Sequence, residues 1–104
     1  MMEHDTDSAL LQQGVEEAVR LLKVLANADR LRLVCRLAEG ECHVTRLQED
    51  VGISQPTLSQ QLAVLRRESL VSTRREGKQI HYRVSDARVV HIVDHLHQLI
   101  CPAE

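Results

Sequence analysis

The sequence contains no phenylalanine and no tryptophan, and Tyr82 is its single tyrosine. Any hydrophobic core must therefore be built almost wholly from aliphatic side chains. No stretch approaches the roughly 18 consecutive apolar residues that a membrane helix needs. There is no Cys-x-x-Cys, which excludes a thioredoxin-like motif. The three cysteines, Cys35, Cys42 and Cys101, are odd in number and widely spaced, unlike a secreted disulfide framework. The opening residues, MMEHDTD, are acidic, so neither a signal peptide nor a basic anchor is expected, and the expected location is the cytoplasm. No cysteine–histidine arrangement has a recognised catalytic spacing, so no enzyme and no cofactor are expected.

What is present fits one domain spanning 1–104, with flexible tails expected at 1–8 and 102–104. The formal net charge is −2, but the charge is unevenly distributed. Residues 54–83 hold six basic side chains, Arg66, Arg67, Arg74, Arg75, Lys78 and Arg83, against two acidic ones, Glu68 and Glu76. That segment carries +4 and the rest of the chain −6. An acidic body with one basic segment can bind a polyanion through that segment.

Periodicity supplies the elements. Leu11, Val15, Ala18, Leu22 and Leu25 recur at helical spacing and predict a helix over 8–25. Asn27 is placed to cap a second helix, 28–38, with Leu31, Val34, Cys35 and Ala38 on one face and Gly40 as its stop. A short helix over 44–51 is anchored by Leu47 and Val51 and ended by Gly52. Ser54 is expected to cap a fourth helix, 55–68, with Pro56 in its first turn and Leu58, Leu62 and Leu65 as its inner stripe. The period then changes to two. Val71 and Thr73, then Ile80, Tyr82 and Val84, alternate with polar neighbours around Gly77, which predicts a hairpin. Ser85 is expected to cap a last helix, 86–100, whose apolar side runs from Val89 to Ile100. The order is ααααββα, a mainly helical chain with a β-hairpin wing.

The third and fourth helices are joined only by Gly52-Ile53-Ser54, the layout of a helix-turn-helix. The leucine stripe of the fourth helix leaves a polar face of Gln55, Thr57, Ser59 and Gln60 to read base edges, and Ser54 at the helix start suits a phosphate. Arg74, Arg75 and Lys78 crowd the hairpin tip, where they would meet the DNA backbone or the minor groove.

Residues 23–33 (KVLANADRLRL), 53–62 (ISQPTLSQQL) and 74–78 (RREGK) resemble the ArsR-type winged-helix repressors. The resemblance spans about residues 15–101. It implies a homodimer packed through the first and last helices, an inverted-repeat operator in double-stranded DNA, and release by an effector. The apolar terminal helices agree, since a small aliphatic core favours burial between subunits.

Effector residues distinguish members of this family. Arsenic-sensing members carry Cys-x-Cys at the start of the third helix; Glu41-Cys42-His43 lacks the pair. Zinc-sensing members use four last-helix positions, matched here by Asp86, Arg88, His97 and Ile100. Arg88 is cationic and Ile100 has no donor atom, so no closed zinc site is expected. A metal-responsive alternative through Asp86, His91, His95 or His97 remains open. Cys35 and Cys101, 66 positions apart, resemble in their local context the sulfide- and persulfide-sensing branch, the BigR and SqrR type. That likeness implies two thiols facing each other within a subunit, bridged by reactive sulfur species or an oxidant, with loss of DNA affinity. Arg32 and Arg36 flank Cys35 and are expected to lower its pKa if they lie close to it. Cys42 does not match the branch pattern.

Overall fold

The first helix, α1 (Val15–Leu25), is entered through a turn wound as a π-helix, Leu10–Gly14. The structure, a computed structural model, describes residues 9–101; the expected tails at 1–8 and 102–104 lie outside the described residues. Four further helices follow: α2 (Ala28–Ala38), α3 (Val44–Val51), α4 (Gln55–Arg67) and α5 (Ala87–Ile100). The strands are β1 (Cys42–His43), β2 (Val71–Glu76) and β3 (Gln79–Val84). The expected chain of helices and hairpin is present, and β1 is added to it. This two-residue strand pairs antiparallel with β3, giving the sheet order β1-β3-β2.

The helix boundaries follow local chemistry. The Asn27 side chain accepts the amide of Arg30 at 3.0 Å and starts α2, as its position predicts. Gly52 ends α3 in the left-handed conformation at φ 74°, which costs a residue without Cβ little. Two expected caps differ. Ser54 stands at the start of α4, but its hydroxyl bonds the Thr57 hydroxyl at 3.1 Å and caps no amide. At α5 the cap is Asp86, which accepts the Arg88 amide at 2.9 Å, while Ser85 donates to the Ser69 carbonyl. A carboxylate next to the free amides outcompetes a hydroxyl one residue earlier.

Helix α4 closes on Ser69, the one described non-glycine residue with positive φ, at 64°. Ser69 N–H donates to Arg66 and Leu70 N–H donates to Leu65, which is the Schellman arrangement. The turn drops Leu70 and Val71 into the core and launches the wing.

The core is aliphatic, as the missing aromatics require. Leu33, Val34 and Leu37 of α2 lie at its centre with Leu47, Leu58, Leu62, Leu65 and Val89. Helix α2 packs on α3, α4, α5 and β3 together. Its buried face is thus Leu33/Val34/Leu37. The expected face through Leu31, Cys35 and Ala38 is turned by about one residue, and Cys35 is exposed. The α1 stripe also differs from expectation. Val24 and Leu25 are buried, but Leu11, Val15 and Leu22 are exposed, as are Leu99 and Ile100 on α5. These apolar side chains find no cover among the described residues.

Candidate nucleic-acid interface and thiol groove

Helices α3 and α4 meet across Gly52-Ile53-Ser54, and Ile53 is buried between them. The Leu58, Leu62 and Leu65 stripe is fully engaged in the core, so the opposite face of α4 is open. Gln55, Ser59 and Gln60 are exposed there and Thr57 is half-buried. Ser59 Oγ donates to Gln55 Oε1 at 3.0 Å, and Ser54 Oγ donates to Thr57 Oγ1. Four of the five α4 residues singled out from sequence are therefore paired with one another, in exposed contacts that a competing polar partner can replace.

Arg30 holds this helix from behind, and it was not among the candidate residues. Its Nε donates to the Val24 carbonyl at 2.6 Å, and its Nη1 to Gln61 Oε1 at 2.8 Å. One guanidinium thus satisfies an orphan carbonyl at the end of α1 and fixes the inner side of α4. The only sequence signal was an arginine inside the Asn-Ala-Asp-Arg helix start.

In the wing, Arg75 pairs across from Ile80 and Arg74 from His81, with Gly77 (φ 63°) and Lys78 forming the turn. The alternation of a strand sends Arg74 and Arg75 to opposite faces. Arg74 is bound by Glu41: Nε donates at 2.7 Å and Nη2 lies at 2.6 Å. Glu76 sits 3.6 Å from its Nη1. Arg74, expected as a DNA contact, is thus already paired, and Glu41 offsets its charge. Hydrogen bonding to Arg74 holds the Glu41 carboxyl below the usual carboxylate range. Arg75 and Lys78 are exposed and make no ion pair among the described residues. On Arg74's face, the His43 and His81 rings meet edge-on at 5.9 Å. His81 Nε2 lies 3.3 Å from Glu76 but is not aligned to donate, and it has no hydrogen-bond partner.

Cys35 and Cys101 line one groove between α2 and the end of α5, about 510 Å³ in volume. Its walls are Leu31, Ala38, Val93, Leu96 and Ile100, with Glu39, Asp94 and His97 as the polar groups. Both thiols are free and exposed. Burial of the sulfur raises the Cys35 pKa, and the Glu39 carboxylate and neighbouring Cys101 raise it further. This reverses the expectation that Arg32 and Arg36 would lower it. Arg32 is held by Asp29 at 2.9 Å and Arg36 by Asp50 at 2.8 Å. Cys42 is elsewhere, buried in the core, with its Sγ donating to the His43 carbonyl at 3.4 Å; burial pushes its pKa up too.

Of the possible metal ligands, Asp86 is occupied by Arg88 at 2.6 Å, which holds its carboxyl below the usual range. His91, His95 and His97 are exposed, and His95 Nδ1 lies 2.8 Å from the His91 carbonyl. Among the described residues, no three His, Cys, Asp or Glu side chains converge to hold a metal ion.

Two helices hinged on a left-handed glycine, a polar outward face on the second and a hairpin beside it define a winged helix-turn-helix protein that binds DNA. Residues 27–73 match the family described as bacterial regulatory protein, arsR family. The chain is 46% identical over 94 residues to the biofilm growth-associated repressor of Xylella fastidiosa strain Temecula1, across 90% of this chain and 82% of that protein. The crystal structure of the transcriptional repressor BigR from Xylella fastidiosa superposes with a TM-score of 0.84 at 43% identity, covering 100% of both chains. The structure described as reduced HlyU from Vibrio cholerae N16961 superposes with a TM-score of 0.82 at 39% identity, over 89% of this chain and 98% of that one. The chain belongs to the ArsR family of bacterial transcriptional regulators and is not an enzyme. None of its described helices is long and apolar enough to cross a membrane.

Proposed function

We propose that this protein is a cytoplasmic, homodimeric transcriptional repressor that releases its operator when reactive sulfur species bridge Cys35 and Cys101. The observation that carries the reading is that these two thiols, distant in sequence, line the same groove. The kinship with BigR, named a repressor, supports repression. The exposed apolar faces of α1 and α5 support a dimer built through them, which would present two α4 helices to the half-sites of an inverted repeat. Gln55, Thr57, Ser59 and Gln60 would read bases, Ser54 would approach a phosphate, and Arg75 and Lys78 would meet the backbone. Arg74 would join them once Glu41 yields it.

The chemistry balances. The Cys35 thiolate attacks the sulfane sulfur of a persulfide and expels the donor as thiolate. The Cys101 thiolate then attacks Cys35 Sγ, and hydrosulfide leaves. Two protein thiols are oxidised to a disulfide, and the donor is reduced to thiol and hydrogen sulfide. In the entropic view, a loop this long is worth about 4 kcal/mol. Coupling to DNA needs only about 1–3 kcal/mol of it to differ between the two shapes.

The test is operator affinity in reductant and after persulfide, for the wild type and for Cys35→Ser, Cys101→Ser and Cys42→Ser. Loss of the persulfide effect in the first two variants alone is expected. A wild type whose affinity does not change after persulfide would overturn the reading.

A further inference from the structure

We propose that His81 sets the wing's grip on DNA by taking up a proton: once charged, it draws Glu41 from Arg74, the guanidinium turns to a phosphate, and operator affinity rises as pH falls. The inference rests on the DNA-binding wing of the reading above and is independent of its dithiol switch.

His81 stands in the middle of a row. Strand β3 is central in the sheet, and His81 pairs across from His43 of β1 on one side and from Arg74 of β2 on the other. Residues directly opposite on neighbouring strands share a face, so the three side chains lie side by side. Two carboxylates reach this row. Glu41, just before β1, holds Oε2 at 2.6 Å from Arg74 Nη2 and 3.8 Å from His81 Nδ1. Glu76, at the end of β2, holds Oε1 at 3.6 Å from Arg74 Nη1 and 3.3 Å from His81 Nε2. Each carboxylate thus lies between the same guanidinium and the same imidazole.

The His81 side chain is 14% exposed, and its Nε2 is buried without a hydrogen-bond partner. Such an atom is costly to leave unmet. A second proton makes both ring nitrogens donors, each with a carboxylate beside it. Imidazole changes charge between about pH 5 and pH 8. Glu41 stays ionised through that range, because hydrogen bonding to Arg74 holds its carboxyl below the usual carboxylate values. With His81 neutral, one guanidinium faces two carboxylates. With His81 protonated, the charges balance and Glu41 has a second claimant.

The remaining charged neighbours fix where the proton goes. The His43 ring meets His81 edge-on at 5.9 Å, and its Nδ1 accepts the Arg46 amide at the start of α3. That bond requires an unprotonated Nδ1, so of the two rings His81 is the one to charge. Arg46 is engaged with Asp50, and Arg83 acts on Glu41 through space. Phosphates brought beside Arg75 and Lys78 favour added positive charge in the wing. DNA binding and proton uptake therefore reinforce each other by the same factor in both directions.

The test is operator affinity of the fully reduced, full-length protein between about pH 8 and pH 5.5 at fixed ionic strength, for the wild type, His81→Gln and Glu41→Gln. Across that range the wild type is expected to bind roughly fivefold more tightly, the lower end of ordinary coupling. Its slope of log affinity against log salt should steepen by about one as Arg74 meets a phosphate. His81→Gln should lose most of this dependence while its far-ultraviolet circular dichroism stays native. Glu41→Gln should bind tightly throughout. In nuclear magnetic resonance, the titration midpoint of the His81 ring should move to higher pH when operator is added. Equal pH dependence in the wild type and His81→Gln, or a His81 midpoint that operator does not move, would overturn this inference and leave the dithiol switch standing. A wild type that binds operator at no pH would overturn the repressor reading as well.

Discussion

Arg36, the residue after Cys35, donates through Nε to Asp50 Oδ2 at 2.8 Å, and Asp50 lies two residues before the glycine hinge of the helix-turn-helix. Arg46 donates to the other carboxylate oxygen at 3.1 Å. Helix α2 thus carries a thiol of the groove and, at the very next residue, grips the end of α3; Cys35, Arg36 and Asp50 line a common surface. Asp50→Asn or Arg36→Gln should weaken that grip. The reduced variants are expected to bind operator, but bridging Cys35 to Cys101 should change their affinity less than it changes the wild type's. Paired titrations of reduced and bridged protein on one operator measure this.

The same pair makes a pH prediction. Hydrogen bonds from Arg36 and Arg46 hold the Asp50 carboxyl below its ordinary range in the folded protein. A carboxyl whose folded pKa is depressed contributes stability above its unfolded value, about 3.9, and that stability is lost as pH falls through the folded value. Urea melts from neutral pH downward should show an acid-side loss of stability that is smaller in Asp50→Asn. An unchanged acid limb in the variant would show that Asp50 does not contribute to it.

Arg30 offers a test of scaffold against reading surface. Its fork bonds a backbone carbonyl of α1 and the Gln61 side chain of α4 at once. Arg30→Ala should cost about 2 kcal/mol of stability, the scale of charge-assisted bonds in a half-buried setting. Arg30→Lys should rescue little of it, since an ammonium cannot reach both partners in the same geometry. Chemical denaturation of the three proteins checks the order.

Much of this architecture was legible because apolar periodicity changes cleanly from 3.6 to 2 after Ser69, and because Asn27, Gly52 and Gly77 stand where caps and turns need them. The misreadings share a cause. Which face of α2 is buried depends on α3, α4 and α5 closing over it together, and a window of sequence around Cys35 does not contain them. The Arg74–Glu41 pair spans 33 positions and exists only because β1 joins β3. A two-residue strand leaves no period to detect. Pairing of Cys35 with Cys101 came from family likeness, since the 65 intervening residues carry no geometric information of their own.

The wing gives a prediction about salt. Each phosphate contact contributes about 0.9 to the slope of log affinity against log salt on duplex DNA. Arg75→Ala and Lys78→Ala should each lower the slope by about one. Arg74→Ala should lower it less, because Glu41 already neutralises that guanidinium. Glu41→Ala should tighten binding at low salt by freeing Arg74. Affinity measured over a salt series separates these cases, and equal slopes for Arg74→Ala and Arg75→Ala would show that Glu41 yields Arg74 to DNA completely.

The last prediction concerns the apolar side chains that the described residues leave uncovered. Leu22 is 56% exposed on α1 and Leu99 is 78% exposed on α5, although neither helix lacks polar faces to turn outward. Burying one leucine is worth about 1.5–3 kcal/mol, so a two-fold contact through both helices, with each leucine counted twice, supplies a large share of a dimer's association energy. Leu22→Glu or Leu99→Glu should therefore convert dimer to monomer in sedimentation equilibrium while far-ultraviolet circular dichroism stays native. Operator binding should fall with it, because a monomer engages a single half-site. Variants that stay dimeric at micromolar concentration would place the subunit contact elsewhere on the molecule and leave these two faces for another partner.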